Sequence, residues 1–235
     1  MLSEPFAEPV AGSPGLRLML DTADRAAWAE WLPVGCFYGV TTNPLLLEAA
    51  GVPCALPALA ELIGDALKLG AREVHAQTWG RTRAHYYDRG RELAAIDPRV
   101  VVKVPTTIEG AAAAAMLRQK GVRITMTAVF SAAQALAADA LGADYAAPYL
   151  GRMNDLGRDG FSEIAGMARA ARAHGGTMRI LVASLREPGD IVRLAREGVD
   201  AFTFNPRVAA GLFADDAAGR AVEAFEAAAE ATSRL

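Results

Sequence analysis

The sequence predicts a single (β/α)8 barrel, and three observations predict it. Short apolar runs alternate with longer amphipathic stretches from one end to the other, eight of each. The length of 235 residues suits one such domain. Polar residues recur at the same end of successive apolar runs, where a parallel barrel carries its loops and its chemistry. An open doubly wound sheet is the competing arrangement. It usually carries a glycine-rich phosphate turn after its first strand, and the first run here leads instead into "DTADRAA".

The elements follow in order. The run "LRLML" (16–20) is the first strand, and "ADRAAWAEWL" the helix after it. "FYGVTTN" (37–43) is followed by "LPALAELIGDALKLG", and "EVHAQTW" (73–79) by "TRAHYYDRGRELAAI". "VVVKVP" (100–105) leads into "EGAAAAAMLRQKG", and "RITMTAVF" (123–130) into "SAAQALAADALG". "DYAAPYL" (144–150) precedes "DGFSEIAGMARAARAHGG", "RILVAS" (179–184) precedes "EPGDIVRLAREG", and "AFTFN" (201–205) precedes the C-terminal tail. Several helical stretches end in Gly, the usual residue just past a helix C-terminus. Residues 1–15, rich in Pro, Gly and Ser, read as a flexible N-terminal extension, and residues 16–235 as the barrel with its C-terminal helix.

Hydrophobic residues make up 52% of the chain, enough for a large core. A formal net charge of −3 provides no basic field for nucleic acid. No apolar run approaches the roughly 20 residues that cross a bilayer. The N-terminus lacks the basic and apolar regions of a secretory signal. Cys36 and Cys54 form neither a CxxC motif nor a disulfide framework, so a cytoplasmic location is expected. His75, His85 and His174 have no metal-ligand spacing, so no zinc site is expected.

One residue stands against the pattern. The run "RVVVKVPTT" contains Lys103 among branched apolar residues. Of 24 basic residues only Lys68, Lys103 and Lys120 are lysines, so a chain that writes Arg on its surface keeps Lys in a core strand. A buried ammonium is costly unless it loses its proton, and Lys can do so where Arg cannot. The structural alternative is a lysine reaching out from an edge strand. A neutral amine in an apolar barrel attacks a carbonyl carbon and forms a Schiff base, whose iminium withdraws electrons from a neighbouring bond. Proton transfer then needs an acid/base group within hydrogen-bond reach.

The strand ends supply Asp21, Thr41 with Thr42 and Asn43, Gln77, Thr127, Tyr149 with Arg152, and Ser184 with Arg186. Asp21 is the one carboxylate in this set. Tyr149, Thr127 and Gln77 can hold and orient a water, and Arg152, Arg186 and Ser184 can grip an anion. Taken singly, many have structural uses. Asp21 suits a helix N-cap, Asn43 before Pro44 suits a turn, and Thr127 suits a strand. Tyr149 and Gln77 suit satisfied core positions, and Arg152 and Arg186 suit surface ion pairs. Trp28 and Trp31, three apart, suit packing or an interface.

The segments "LDTAD", "GVTTNPLLL", "VVKVPTTIEG", "TAVFSAAQAL" and "GADYAAPYLGRMND" together resemble the transaldolase family, most closely its short fructose-6-phosphate aldolase-like subgroup. The resemblance runs from about Arg17 to near Phe225. It implies a TIM barrel and a metal-free class I aldolase or transaldolase with no cofactor. Lys103 would be the Schiff-base lysine. Asp21 would assist proton transfer, and Asn43 and Thr41 would bind the donor. Thr127, Gln77 and Tyr149 would position the catalytic water. Arg152, Ser184 and Arg186 would bind the phosphate of a sugar-phosphate partner. Transaldolases usually have Glu and Phe where this chain has Gln77 and Tyr149, which points to the aldolase, with dihydroxyacetone as donor and an aldehyde such as glyceraldehyde 3-phosphate as acceptor. The alternatives are a transaldolase moving a dihydroxyacetone unit between sugar phosphates, and a barrel that binds sugar phosphate without turnover. The resemblance also implies a homo-oligomer, pentamer or decamer, with the C-terminal helix packed on a neighbour. "QTWG" and "TFNPR" depart from the family's usual strands, so Trp79, Asn205 and Arg207 bear on the acceptor.

Overall fold

The computed structural model describes residues 15–173 and 175–233. The expected N-terminal extension, apart from Gly15, lies outside the described residues, as does His174. Eight parallel strands close into a barrel in sequence order. They are β1 (Arg17–Asp21), β2 (Gly39–Thr41), β3 (Glu73–Gln77), β4 (Val100–Pro105), β5 (Ile124–Val129), β6 (Tyr145–Pro148), β7 (Arg179–Val182) and β8 (Ala201–Phe204). All eight overlap the expected runs; β3, β6 and β7 end two residues earlier than expected, and "FYGVTTN" yields only the three-residue β2. Thr42 and Asn43 leave the strand because Asn43 caps the helix that follows: its Oδ1 accepts from the backbone N–H of Leu45 and Leu46 at 3.0 and 3.1 Å.

The outer helices are α1 (Arg25–Trp31), α2 (Pro44–Ala49), α3 (Leu56–Lys68), α4 (Arg83–Ala94), α5 (Ile108–Arg118), α6 (Ala132–Ala140), α7 (Leu150–Asp155), α8 (Gly160–Ala173), α9 (Pro188–Arg196), α10 (Pro206–Gly211) and α11 (Asp216–Thr232). The six-residue helices α2, α7 and α10 carry too few turns to declare a 3.6-residue period, and sequence patterning does not reveal them. Thr82, Thr107 and Ser131 each accept a backbone N–H at the start of the helix after their strand. Such caps contribute about 1 kcal/mol each and fix where the strand-to-helix loops end.

Alternation along the strands divides the molecule into two cores. Outward residues such as Leu20, Val40, Val74, Val102, Val104, Ile124, Met126 and Phe202 pack against the helices. Inward residues Met19, Val101, Tyr145, Ala147, Leu181 and Ala201 fill the barrel. Gly39 is needed where β2 meets β3, because a Cβ there would sit 2.2 Å from the Glu73 carbonyl oxygen. Among the described residues two that are not glycine have left-handed backbone, Ala128 (φ 59°) and Ser184 (φ 60°), both near the C-terminal ends of strands. Strain of this kind collects where surrounding structure fixes a site.

Candidate active site

Lys103 lies on the inward face of β4, and its side chain is nearly sealed from solvent at 4% residue exposure. A closed barrel has no edge, so this lysine does not reach out from an edge strand. Its Nζ donates to the carbonyl oxygen of Thr42 at 2.9 Å. That carbonyl is available because the chain turns out of β2 at Thr42 toward the cap of α2. The amine thus meets one neutral oxygen and the floor of a cleft. The cleft is lined by Asp21, Asn43, Leu45, Leu46, Lys103, Tyr149, Arg152, Ala183 and Ser184. It opens at the C-terminal ends of the strands, where barrels of this type carry their chemistry.

Asp21 ends β1, and its Oδ1 accepts from the hydroxyl of Thr41 at 2.6 Å. The Thr41 oxygen lies 2.6 Å from that of Thr203. A hydroxyl has one proton, so with Thr41 donating to Asp21 the Thr203 hydroxyl donates to Thr41. Asp21 does not cap α1; Asp24 does, accepting from the Ala26 N–H. Its carboxylate is therefore held toward the barrel mouth. The Asn43 amide oxygen is committed to the cap of α2, which fixes the side chain and leaves its NH2 group to donate into the cleft.

Tyr149 follows β6. Its hydroxyl lies 2.8 Å from Thr127 Oγ1, its ring packs edge-on against Phe130, and the Arg152 guanidinium covers it at 4.9 Å from the ring centre. Three contacts hold a phenol at the cleft wall beside Arg152. Gly151 permits the close crossing of this segment over β7: its N–H donates to the Ser184 carbonyl at 2.9 Å, and a Cβ there would sit 2.6 Å from that oxygen.

Six of the ten residues singled out in the sequence line this one cleft: Asp21, Asn43, Lys103, Tyr149, Arg152 and Ser184. Thr41 and Thr127 stand behind it, buried and hydrogen-bonded to Asp21 and Tyr149. Gln77 is the cross-strand partner of Lys103 at the end of β3, outside the lining. Arg186 is also outside it, in an ion pair in which one guanidinium nitrogen meets both Asp155 carboxylate oxygens at 2.6 and 2.5 Å, its side chain 61% exposed. Trp79 lines a separate groove with Gly80, His85 and Asp88, under the Arg89 guanidinium. Asn205 accepts from Val208 N–H and caps α10. Sequence reasoning missed Thr203, although "AFTFN" carries it on the inward, alternate position of the eighth strand. It also missed Leu45, Leu46 and the Thr42 carbonyl, whose positions depend on the unforeseen helix α2.

A closed parallel barrel with a polar cleft at its catalytic end, floored by a buried lysine, defines a (β/α)8 barrel of the enzyme type. Comparison with known proteins gives the family. The profile described as Transaldolase/Fructose-6-phosphate aldolase matches residues 18–235. A probable transaldolase of Halalkalibacterium halodurans is 33% identical over 210 residues, covering 89% of this chain and 97% of that protein. One of Exiguobacterium sp. is 32% identical over 212 residues, covering 89% and 95%. One of Cereibacter sphaeroides is 33% identical over 212 residues, covering 90% and 94%. The chain belongs to the transaldolase/fructose-6-phosphate aldolase family, and is an enzyme of the aldolase or transaldolase type. No described helix is long and apolar enough to cross a membrane.

Proposed function

We propose that the chain is a class I aldolase, joining and cleaving dihydroxyacetone and an aldehyde such as glyceraldehyde 3-phosphate through a Schiff base on Lys103. The observation that carries this is the burial of the Lys103 amine at the floor of a polar cleft, hydrogen-bonded to a neutral carbonyl rather than to a carboxylate. Its lone pair attacks the donor carbonyl carbon, and loss of water leaves an iminium. The iminium N–H keeps the Thr42 carbonyl as acceptor. Removing a proton from the adjacent hydroxymethyl carbon gives the enamine, which adds to the acceptor aldehyde. Water then releases the product and restores the amine. Asp21 is the carboxylate nearest to this sequence of proton movements, held by Thr41. Tyr149 and Thr127 share the hydrogen bond from which a hydrolytic water is held, with Gln77 on the neighbouring strand.

Arg152 is the cation for an acceptor phosphate: it lines the cleft, and among the described residues it forms no ion pair. Ser184 stands beside it, and Arg186, already matched by Asp155, contributes less. The choice of aldolase rests on Gln77 and Tyr149, where transaldolases of this family usually have Glu and Phe. A phenol gives the enamine a route to a proton and hence to free dihydroxyacetone. The second reading, a transaldolase that hands the three-carbon unit directly to another aldehyde, is favoured by the names of the relatives. Free dihydroxyacetone supplied with glyceraldehyde 3-phosphate decides between them: formation of fructose 6-phosphate at a rate matching its cleavage supports the aldolase. Turnover only with a ketose phosphate as donor supports the transaldolase.

Helix α11 has no buried residue, and Val222 and Phe225 are exposed on it, so a second copy of the chain covers this face in a homo-oligomer. Sedimentation of the full chain against Phe225→Glu tests this; unchanged single-chain mass for both would remove it. The free, exposed cysteines Cys36 and Cys54 suit a reducing cytoplasm.

A further inference from the structure

One residue of β5 is out of step with its neighbours. Thr127 pairs with Ala147 and Val129 with Pro148, so Ala128 is an extra residue between them. Its backbone is left-handed, with φ 59°. A bulge of this kind re-aims the side chains around it and is common beside active sites.

The alternation of the strand shows what is re-aimed. Ile124 and Met126 face the helices, while Thr127 faces inward to the Tyr149 hydroxyl. Strict alternation would turn Val129 inward and Phe130 outward. The extra residue reverses this order. Val129 joins the helix-facing core with no exposure. The Phe130 ring meets Tyr149 edge-on, with 5.7 Å between centres and 77° between planes. Phe130 also packs on the helix-facing core, so it ties the phenol to that core. The bulge thus brings two residues of one strand, Thr127 and Phe130, onto the same side chain.

The bulge is clamped on both sides. The Thr127 carbonyl accepts from the backbone N–H of Thr106 at 2.9 Å and from the Thr106 hydroxyl at 2.7 Å. The Phe130 N–H donates to the amide oxygen of Gln134 at 2.7 Å. Gln134 is itself held in the first turn of α6, where its own N–H donates to the Ser131 hydroxyl at 3.3 Å. A left-handed alanine is strained and persists only where its surroundings over-determine it. These hydrogen bonds do so.

We propose that Phe130 is a positioning residue for Tyr149, presented by the Ala128 bulge and pinned by Gln134. The edge-on contact fixes the tilt of the phenol ring, while Thr127 fixes its hydroxyl and Arg152 covers it. Proton delivery requires heavy atoms within about 2.6–3.2 Å of one another, so a ring free to tilt delivers less often. The inference rests on the reading of Tyr149 as the route by which the enamine receives its proton.

The test is a ratio of two rates on the full chain. One is release of free dihydroxyacetone from fructose 6-phosphate, and the other is transfer of its three-carbon unit to glycolaldehyde. Release needs a proton on the enamine carbon; transfer gives that carbon the aldehyde instead. Phe130→Ala should lower the ratio of release to transfer by about fivefold to tenfold, part of the roughly 100-fold that a 1 Å misplacement can cost. Phe130→Tyr, which keeps the ring edge, should keep the wild-type ratio. Gln134→Ala should lower the ratio by less, and Gln134→Glu, which still accepts from the Phe130 N–H, should restore it. The borohydride-trapped adduct on Lys103 with dihydroxyacetone should stay at the wild-type level in all four. A merely structural role would lower release, transfer and trapping together. A wild-type ratio in Phe130→Ala, where Tyr149→Phe lowers it, overturns the inference. If Phe130→Ala does not fold, equal ratios in Gln134→Ala and Gln134→Glu overturn it instead. An unchanged ratio in Tyr149→Phe fails the reading of Tyr149 itself, and no release by the wild type fails the aldolase reading; each is distinguishable from the other outcomes.

Discussion

The two ends of the barrel carry charge in opposite ways. At the N-terminal end, Glu73 meets Arg17 and Arg123, Asp144 meets Arg118 at 3.1 Å, and Asp200 meets Arg179. At the C-terminal end, Lys103 meets a backbone carbonyl, Asp21 accepts from a hydroxyl, and Arg152 lies on a tyrosine ring. Both ends contain buried or half-buried ionisable groups, and the strands supply them by the same alternation. Matched charge is structure: breaking one partner leaves the other uncompensated. Unmatched charge beside a cleft is capacity held for a ligand. On the proposed function, the contrast places stability at one end and turnover at the other.

The strongest way to break that contrast is to exchange its consequences. Lys103→Met should reduce turnover to background while leaving the fold intact, read by aldol cleavage and by the urea midpoint; a variant that unfolds would make Lys103 structural. Glu73→Gln should do the reverse in stability, costing about 3–5 kcal/mol because Arg17 and Arg123 lose their anion, read by urea denaturation. The pH dependence has a definite sign. The Glu73 carboxyl is depressed from 4.5 to about 2, so its stabilisation is present above about pH 4.5 and is lost as pH falls toward 2. Acid unfolding of Glu73→Gln should be flatter than wild type in that window.

Smaller effects sharpen the contrast within the mouth. Arg152→Ala should raise KM for a phosphorylated acceptor about tenfold and leave a neutral aldehyde nearly unchanged, since it removes mainly ground-state binding. Arg186→Ala, at a position already neutralised by Asp155, should change the same KM by less. Tyr149→Phe should move the balance from aldol cleavage toward transfer between aldehydes; an unchanged ratio would remove the phenol from proton delivery to the enamine.

Sequence periodicity revealed the strands and the long helices because both cores are lined by regular alternation, whereas the cap of α1 fell on Asp24 rather than on the expected Asp21. The short helices α2, α7 and α10 were hidden, because one and a half turns cannot display a period. Lys103 was legible as a charge inside an apolar run, and Asp21 and Tyr149 as polar residues at the ends of such runs. Asn43 was legible as a turn residue and as a donor-binding candidate, but not as the cap of α2 that its amide oxygen forms. The pairing of Arg186 with Asp155 was not legible, since the two are brought together across β7 by tertiary packing. The Glu73–His75 hydrogen bond was legible in principle: "EVHAQ" puts Glu, His and Gln on every second residue, one inward face of a single strand. A search for metal-ligand spacing passes over that pattern, because the partners of His75 are the Glu73 carboxylate and the Thr125 hydroxyl rather than an ion.

The most direct measurement is covalent trapping. The full chain is incubated with dihydroxyacetone and borohydride, and the modified residue is located by peptide mass. The account predicts one added three-carbon unit, on Lys103, absent from Lys103→Met. A folded protein that remains unmodified, or is modified at Lys68 or Lys120 instead, would contradict it.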